Sequence, residues 1–408
     1  MGLSNLYSRA AREVDASAIR EICNLVSKRE ICSMAGGWPD PRTFPSEEIR
    51  DIAVTVLTEY PDKALQYGSS EGVTSLREKL ARWTAEKDGV ECGTENILVT
   101  HGSAQGMELA AKVLLEPGDV AFVGLPTYFG GTGACRTFGA ELVGIPLDDD
   151  GMNTDLLAER IEAVRAAGKR AKLIYVIPDF QNPTGATLPV ERRKRIVELA
   201  NEHDLAVLED NPYRNLCFDG EPLPPIKAFD TEGRVVYLRS FSKIFCPGFR
   251  LAYAVGDPDM IRKMVIALQF EDCCSNTFVQ YILLEFISRG LLDERIEKNS
   301  IYYKEKRDVL LEALDEHFPD IVRWNRPDGG FFVFVHLPEG MCGEELLRMA
   351  VDRNVAFVAG APFYIDGSGD NTFRLSYAQS DEEAMRKAVS VIGRLIEERT
   401  NKERKVVK

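Results

Sequence analysis

Lys243 stands in Ser240-Phe-Ser-Lys-Ile-Phe-Cys-Pro-Gly-Phe-Arg250, directly after the β-rich run Val235–Leu238. Ser240 and Ser242 are two positions apart, so in extended chain their hydroxyls project to one side. Pro247-Gly248 breaks the chain and Arg250 follows. An amine, two hydroxyls and a guanidinium at one strand end suit a phosphorylated carbonyl compound, the lysine forming an imine and the others holding the phosphate. Four more apolar runs end on residues of similar promise. Ile97–Thr100 leads into Gly102-Ser103-Ala104-Gln105, Ala121–Val123 into Tyr128, Leu173–Ile177 into Gln181-Asn182-Pro183-Thr184-Gly185, and Ala206–Glu209 into Asp210-Asn-Pro-Tyr213. Singly, each is what a helix cap, a packing aromatic or a plain turn would show. Asp210 is a carboxylate at the end of a buried strand, which is costly unless a cation pairs with it.

The elements that must position these residues are short apolar strands alternating with helices. Helical patterns cover Val73 to Asp88, Ser103 to Leu115, Thr154 to Ala166 and Glu191 to Glu202. Such alternation predicts a mostly parallel sheet covered on both faces, an α/β layer over about residues 51–290. In open sheets of this kind ligands bind at the carboxyl ends of the strands. Residues 1–50 read as an arm, with an amphipathic helix from Ser17, a short strand Ile31–Met34 and the loop Gly36-Gly37-Trp38-Pro39-Asp40-Pro41. Residues 291–408 read as a long solvated linking helix and a smaller α+β domain, with strands at Gly330–Val335, Val355–Ala359 and Thr372–Ser376 and a helix from Asp381 to Thr400. The arm is expected to join that domain.

The 408 residues balance 50 basic against 64 acidic side chains, a net charge of -14. That repels phosphodiester backbones and argues against a nucleic-acid partner. Nine cysteines show no paired ligand spacing, which reads as reduced thiols in a cytoplasmic protein and no metal site. The first thirty residues carry charges throughout, so no secretion signal is expected, and no apolar run approaches a membrane span.

Taken together, the five strand ends meet the needs of pyridoxal 5′-phosphate. Its phosphate needs a helix N-terminus, hydroxyls and a cation, and its ring an aromatic face. Its pyridine nitrogen needs a carboxylate, its phenolic oxygen donors, and its aldehyde an amine.

Here the chain resembles the aminotransferases of the fold-type-I pyridoxal-phosphate superfamily, over nearly its whole length. Ser240-Phe-Ser-Lys243…Pro247-Gly248-Phe-Arg250 is similar to the family's S-x-S-K-x-x-x-P-G-x-R signature, Asn182–Gly185 to its N-P-T-G turn, and Asp210-x-x-Tyr213 to its D-x-x-Y. The resemblance implies a large domain with a seven-stranded, mostly parallel sheet and a smaller α+β domain. It implies Lys243 as Schiff-base lysine and proton shuttle, Asp210 on the pyridinium, and Asn182 and Tyr213 on the phenolic oxygen. Tyr128 would stack on the ring. Ser103, Ala104, Gln105, Ser240, Ser242 and Arg250 would hold the phosphate. Arg374, in Phe373-Arg-Leu-Ser376, would fork onto a substrate α-carboxylate, a geometry that lysine lacks. Tyr67 would reach the phosphate of a neighbouring subunit, which implies a homodimer. Ala252 departs mildly from the signature, where glycine is frequent.

Ala18–Glu21 with Met34–Asp40 is similar to the subgroup of 2-aminoadipate and kynurenine aminotransferases. There Gly37 would offer its amide to the substrate carboxylate, and Arg20 would meet a distal substrate group. The expected function is ping-pong transfer of an amino group from an L-amino acid to a 2-oxo acid, with 2-oxoglutarate the expected acceptor. The donor would be aromatic, 2-aminoadipate-like or branched-chain. A β-lyase or decarboxylase on the same scaffold is the alternative. A regulator fused to a DNA-binding module is disfavoured by the short arm and the acidic charge.

Overall fold

The computed structural model describes residues 3–8, 11, 12 and 31–406. The amphipathic helix expected from Ser17, and Arg20 within it, lie outside them. After a short strand β1 (Cys32–Ser33), the first large body contains β2 (Ile97–Thr100), β3 (Val120–Leu125), β4 (Glu141–Asp148), β5 (Gly151–Met152), β6 (Ala171–Val176), β7 (Ala206–Asn211), β8 (Val235–Ser240) and β9 (Ala252–Val255). They form one sheet in the order β2-β9-β8-β7-β6-β3-β4-β5. The inner run β8-β7-β6-β3-β4 is parallel, while β9 pairs antiparallel with both β2 and β8. The expected seven strands gain an eighth, the two-residue β5, which doubles back antiparallel on β4.

The strands are buried on both faces, and alternate residues feed different cores. Leu208, Tyr175, Leu238 and Ala121 pack with Met107, Leu109 and Met264, from helices Ser103–Leu114 and Pro258–Gln269. Val207, Ile174 and Phe122 pack on the opposite side with Leu157, Ile161 and Ile196, from helices Thr154–Ala166 and Val190–His203. Asp210 and Ser240 share the parity of Leu208 and Leu238. They therefore emerge on the face covered by helix Ser103–Leu114.

The second body contains β10 (Arg323–Trp324), β11 (Phe332–His336), β12 (Val355–Ala356), β13 (Val358–Ala359) and β14 (Thr372–Ser376). Four of these make an antiparallel sheet in the order β10-β11-β14-β13. The remaining β12 pairs in parallel with β1, so the arm is stitched into the small body. Met34 sits in its core beside Leu310, Leu375 and Ile392. Helix Leu291–His317 joins the two bodies. It was expected to be solvated, but Tyr303 is fully buried and Lys306 and Arg307 nearly so. Asp40 and Asp219 neutralise the two cations, which is what lets that face be covered. No helix among the described residues is long and apolar enough to cross a membrane.

Candidate active site

The carboxyl ends of the parallel strands open into a cavity of about 630 Å³ between the two bodies. Twelve of the residues singled out above line it: Gly37, Ser103, Ala104, Tyr128, Asn182, Asp210, Tyr213, Ser240, Ser242, Lys243, Arg250 and Arg374.

Asp210 is not beyond its strand, as expected, but within β7, paired with Leu238 of β8. Pairing runs on through Asn211, which pins the carboxylate rather than leaving it on a loop. Asp210 Oδ2 accepts from the Tyr175 hydroxyl at 3.2 Å. Its Oδ1 is buried without a hydrogen-bond partner. Burial raises the Asp210 carboxyl to about 6, against the lowering effects of Tyr175 and Lys243. An orphaned carboxylate oxygen at a cavity wall is costly unless a donor meets it there. A protonated ring nitrogen is such a donor.

Lys243 follows β8 after a short turn. Its Nζ donates to the Gly37 carbonyl at 2.8 Å. Burial first, then the cations Arg374 and Arg250, lower its ammonium to about 8 from 10.5, and Asp210 opposes them. Far more of it is therefore a free amine near neutral pH than for an ordinary lysine, which suits a nucleophile or proton carrier.

The anion end is built by helix Ser103–Leu114, whose first N–H groups lack intrahelical partners. Gly102 precedes it at φ 80°, and a Cβ there would stand 2.3 Å from Arg250 Nη2. Only glycine lets the arginine lie against this turn. Arg250 Nη1 donates to Ser242 Oγ at 3.3 Å, and Ser242 N donates to Ser240 Oγ at 3.2 Å. Gln105 departs from expectation. It is absent from the cavity lining, and its Oε1 accepts from the His101 N–H at 2.9 Å, closing the turn.

At the other end, Arg374 projects from β14 and is 2% exposed. It donates to Asn182 Oδ1 at 2.7 Å and to the Ala35 carbonyl at 2.6 Å, with its guanidinium 4.0 Å above the Phe332 ring. Asn182 sits after β6, with a cis peptide to Pro183. Tyr213 is held edge-on by Phe331 and Phe332. Burial pushes its phenol well above the ordinary value, so it stays a donor. Tyr128 lies at the mouth, its ring tilted on Phe129 at 4.7 Å.

Sequence reasoning missed the supports behind this lining. Asp179 accepts from Arg193 at 2.6 Å and from Asn211 Nδ2 at 2.7 Å, fastening the Asn182 loop to β7. Tyr175 was read only as part of an apolar run, although a buried phenol must find a partner, which was the available signal. Tyr67 is 81% exposed and does not line the cavity of its own chain. Among the described residues no cluster of His, Cys, Asp and Glu could hold a metal.

An amine, a buried carboxylate and an anion cup around one flat cavity define a pyridoxal-phosphate site, and the orphaned Asp210 oxygen is the feature that group fits. The sequence profile of the family "aminotransferase class I and II" matches residues 41–392. The chain is 43% identical to aromatic-amino-acid aminotransferase 1 of Thermococcus litoralis, covering 97% of this chain and 95% of that one. It superposes on the crystal structure of Pyrococcus horikoshii kynurenine aminotransferase in complex with PMP with a TM-score of 0.94, at 42% identity and 97% and 98% coverage. It likewise matches α-aminoadipate aminotransferase of Thermus thermophilus, complexed with N-(5′-phosphopyridoxyl)-L-leucine, with a TM-score of 0.89, 38% identity and 97% and 98% coverage. The chain belongs to the class I and II aminotransferases: it is a fold-type-I enzyme that uses pyridoxal phosphate to move amino groups between small-molecule amino and oxo acids.

Proposed function

We propose that this enzyme takes its amino group from an aromatic, 2-aminoadipate-like or branched-chain L-amino acid and passes it to 2-oxoglutarate. Bound pyridoxal phosphate supplies an aldehyde for amines and a ring that takes up the electron pair left when a Cα–H bond breaks. The chain's own groups do the rest. Asp210, whose Oδ1 has no partner of its own, would accept from the ring nitrogen and keep it protonated. Asn182 and Tyr213 would donate at the phenolic oxygen, and Tyr128 would stack on the ring. The N–H groups of Ser103 and Ala104, with Ser240, Ser242 and Arg250, hold the phosphate. Lys243 Nζ would be the amine for the aldehyde, and when free it would take the proton from the substrate Cα and deliver it to the cofactor's aldehyde carbon, the reverse transfer serving the second half-reaction. Arg374 and the Gly37 amide grip the α-carboxylate, which orients that Cα–H bond toward Lys243. Donor range rests on the two relatives named for aromatic amino acids and α-aminoadipate, and on an apolar mouth at Trp38, Phe129 and Tyr128.

The reading divides the chain into an arm (1–50), a large cofactor-binding domain (51–290) and a small domain (291–408). It includes a homodimer in which Tyr67 of one protomer reaches the other's phosphate, supported by the exposure of Tyr67 and Phe270 at 81% and 86%. A cytoplasmic location is supported by the free thiols of all eight described cysteines.

The observation that carries the proposal is the convergence on one cavity of Lys243, the orphaned Asp210 oxygen and Arg374. The test is a donor panel with 2-oxoglutarate, scored by glutamate. A transaminase yields glutamate and the matching oxo acid; a β-lyase or decarboxylase would yield neither. Lys243→Ala should lose at least roughly 10²–10⁴-fold in turnover.

A further inference from the structure

Residues 35–39 cross the cavity between two fastenings. Upstream, the Met34 N–H donates to the Ala356 carbonyl at 2.7 Å and the Met34 carbonyl accepts from Ser376 N at 2.8 Å. Downstream, Asp40 is 2% exposed and heavily bonded. Its carboxylate accepts from Tyr302 Oη at 2.7 Å, from Lys306 Nζ at 2.9 Å and from Arg42 Nη2 at 2.7 Å. Its own N–H donates to Tyr303 Oη at 2.9 Å. Three of these four partners lie on helix Leu291–His317. Lys306 also donates to the Ala378 carbonyl at 2.8 Å, just beyond the strand that carries Arg374.

Between the fastenings, two carbonyls meet site groups. Ala35 O accepts from Arg374 at 2.6 Å and Gly37 O from Lys243 at 2.8 Å. The fit has no slack, since a Cβ on Gly37 would stand 2.6 Å from the Phe332 ring, the same ring that supports Arg374. A short turn at Pro41 needs only the Asp40–Arg42 contact, which is local. The bonds to Tyr302, Tyr303 and Lys306 reach more than 260 positions along the chain.

We propose that Asp40 is a positioning residue of the transamination site: tethered to Tyr302 and Lys306, it sets where the Gly36–Trp38 span lies over Lys243 and Arg374, and so how firmly the substrate carboxylate is gripped. This deepens the reading under Proposed function and rests on it. None of Asp40, Tyr302 and Lys306 lines the cavity, so each acts through the span. Displacement of reacting groups by about an ångström costs up to roughly a hundredfold.

The test compares holoenzyme variants Asp40→Asn, Tyr302→Phe and Lys306→Met with wild type. Lys304→Met, on the same helix as Tyr302 and Lys306 but paired at the surface with Asp219 from the large body, is the control. KM and kcat are measured for an amino donor that wild type accepts. Affinity for the α-methylated form of that amino acid, which has no Cα proton to lose, is read from the absorbance of the bound cofactor. KM and the α-methyl dissociation constant should both rise about tenfold or more. kcat/KM should fall by at least the same factor, the absorbance of the unliganded holoenzyme should stay near wild type, and Lys304→Met should match wild type throughout. Unchanged KM and α-methyl affinity with a lowered melting temperature would reduce the cluster to a fold anchor and overturn the proposal. If Asp40→Asn does not fold, Tyr302→Phe, which deletes one hydroxyl, decides. A wild type that yields no glutamate from any donor sinks the broader functional reading instead, and α-methyl affinities, measured for whichever amino acid shifts the cofactor absorbance of wild type, still decide the role of Asp40.

Discussion

Lys243 must be neutral to take a proton and charged to give one up, and its surroundings bring its ammonium down to about 8. Burial leads and Arg374 is the largest charged cause. In cofactor-free protein, acylation of Lys243 should therefore rise as pH passes through about 8, where an ordinary lysine waits for 10.5. Arg374→Gln removes a cation and should move that midpoint upward; Arg374→Lys should leave it nearly in place. Peptide mapping after labelling over a pH series reads both. Between the two values the unfolded chain holds a proton that the folded chain does not. Cofactor-free protein should thus gain stability as pH rises across that window. Charge alone does not make Arg374 replaceable. Its donors also serve Asn182 and Ala35, and a lysine cannot fork. Arg374→Lys should raise the amino-acid KM roughly ten- to hundredfold, the kinetic equivalent of ~1.5–3 kcal/mol for hydrogen bonds to a charged group.

Elements marked by their own periodicity and caps were legible in the sequence, and side chains whose role depends on a distant ionic partner were not. Helix Thr154–Ala166 and strand Thr372–Ser376 fall where periodicity and cap residues predict. Helix Phe129–Thr137 was invisible because Gly130, Gly131 and Gly133 lower its propensity. It forms because tertiary packing overrides that, and a Cβ at Gly131 would strike the Tyr175 ring at 2.1 Å. The strand Ala252–Val255 was seen only as a departure from a motif, being four residues long. The motif residues of the site were readable in order. The Asp40 and Asp179 supports were not, since acidic residues on loops carry no mark of the cations that will face them. One close approach yields a clear forecast. Terminal helix Glu382–Val406 crosses the end of helix Leu291–His317 at Gly393, where a Cβ would lie 2.2 Å from the His317 carbonyl. Gly393→Ala should cost ~1–3 kcal/mol by overpacking, seen as a lower denaturant midpoint.

At the scale of the molecule, the anion cup is the part that one chain leaves most open. Arg250 is exposed, and Tyr67 lines no cavity of its own chain. If a neighbour completes the cup, mixing Lys243→Ala with Tyr67→Ala chains should recover activity. One of the two sites in each mixed pair then carries both intact residues. Sites built wholly within one chain would show no recovery, and native mass should be twice 45.6 kDa.

The cavity walls come from two bodies: Lys243 and Asp210 from the large sheet, Arg374 from the small one, and Gly37 from a span sewn to the latter. A molecule that touches all of them works as a rivet. An α-amino acid carries two handles for that purpose on one carbon, an amine and a carboxylate; a simple amine has one. With the roles proposed above, this architecture would select for the acid group of its substrates before any side chain is read.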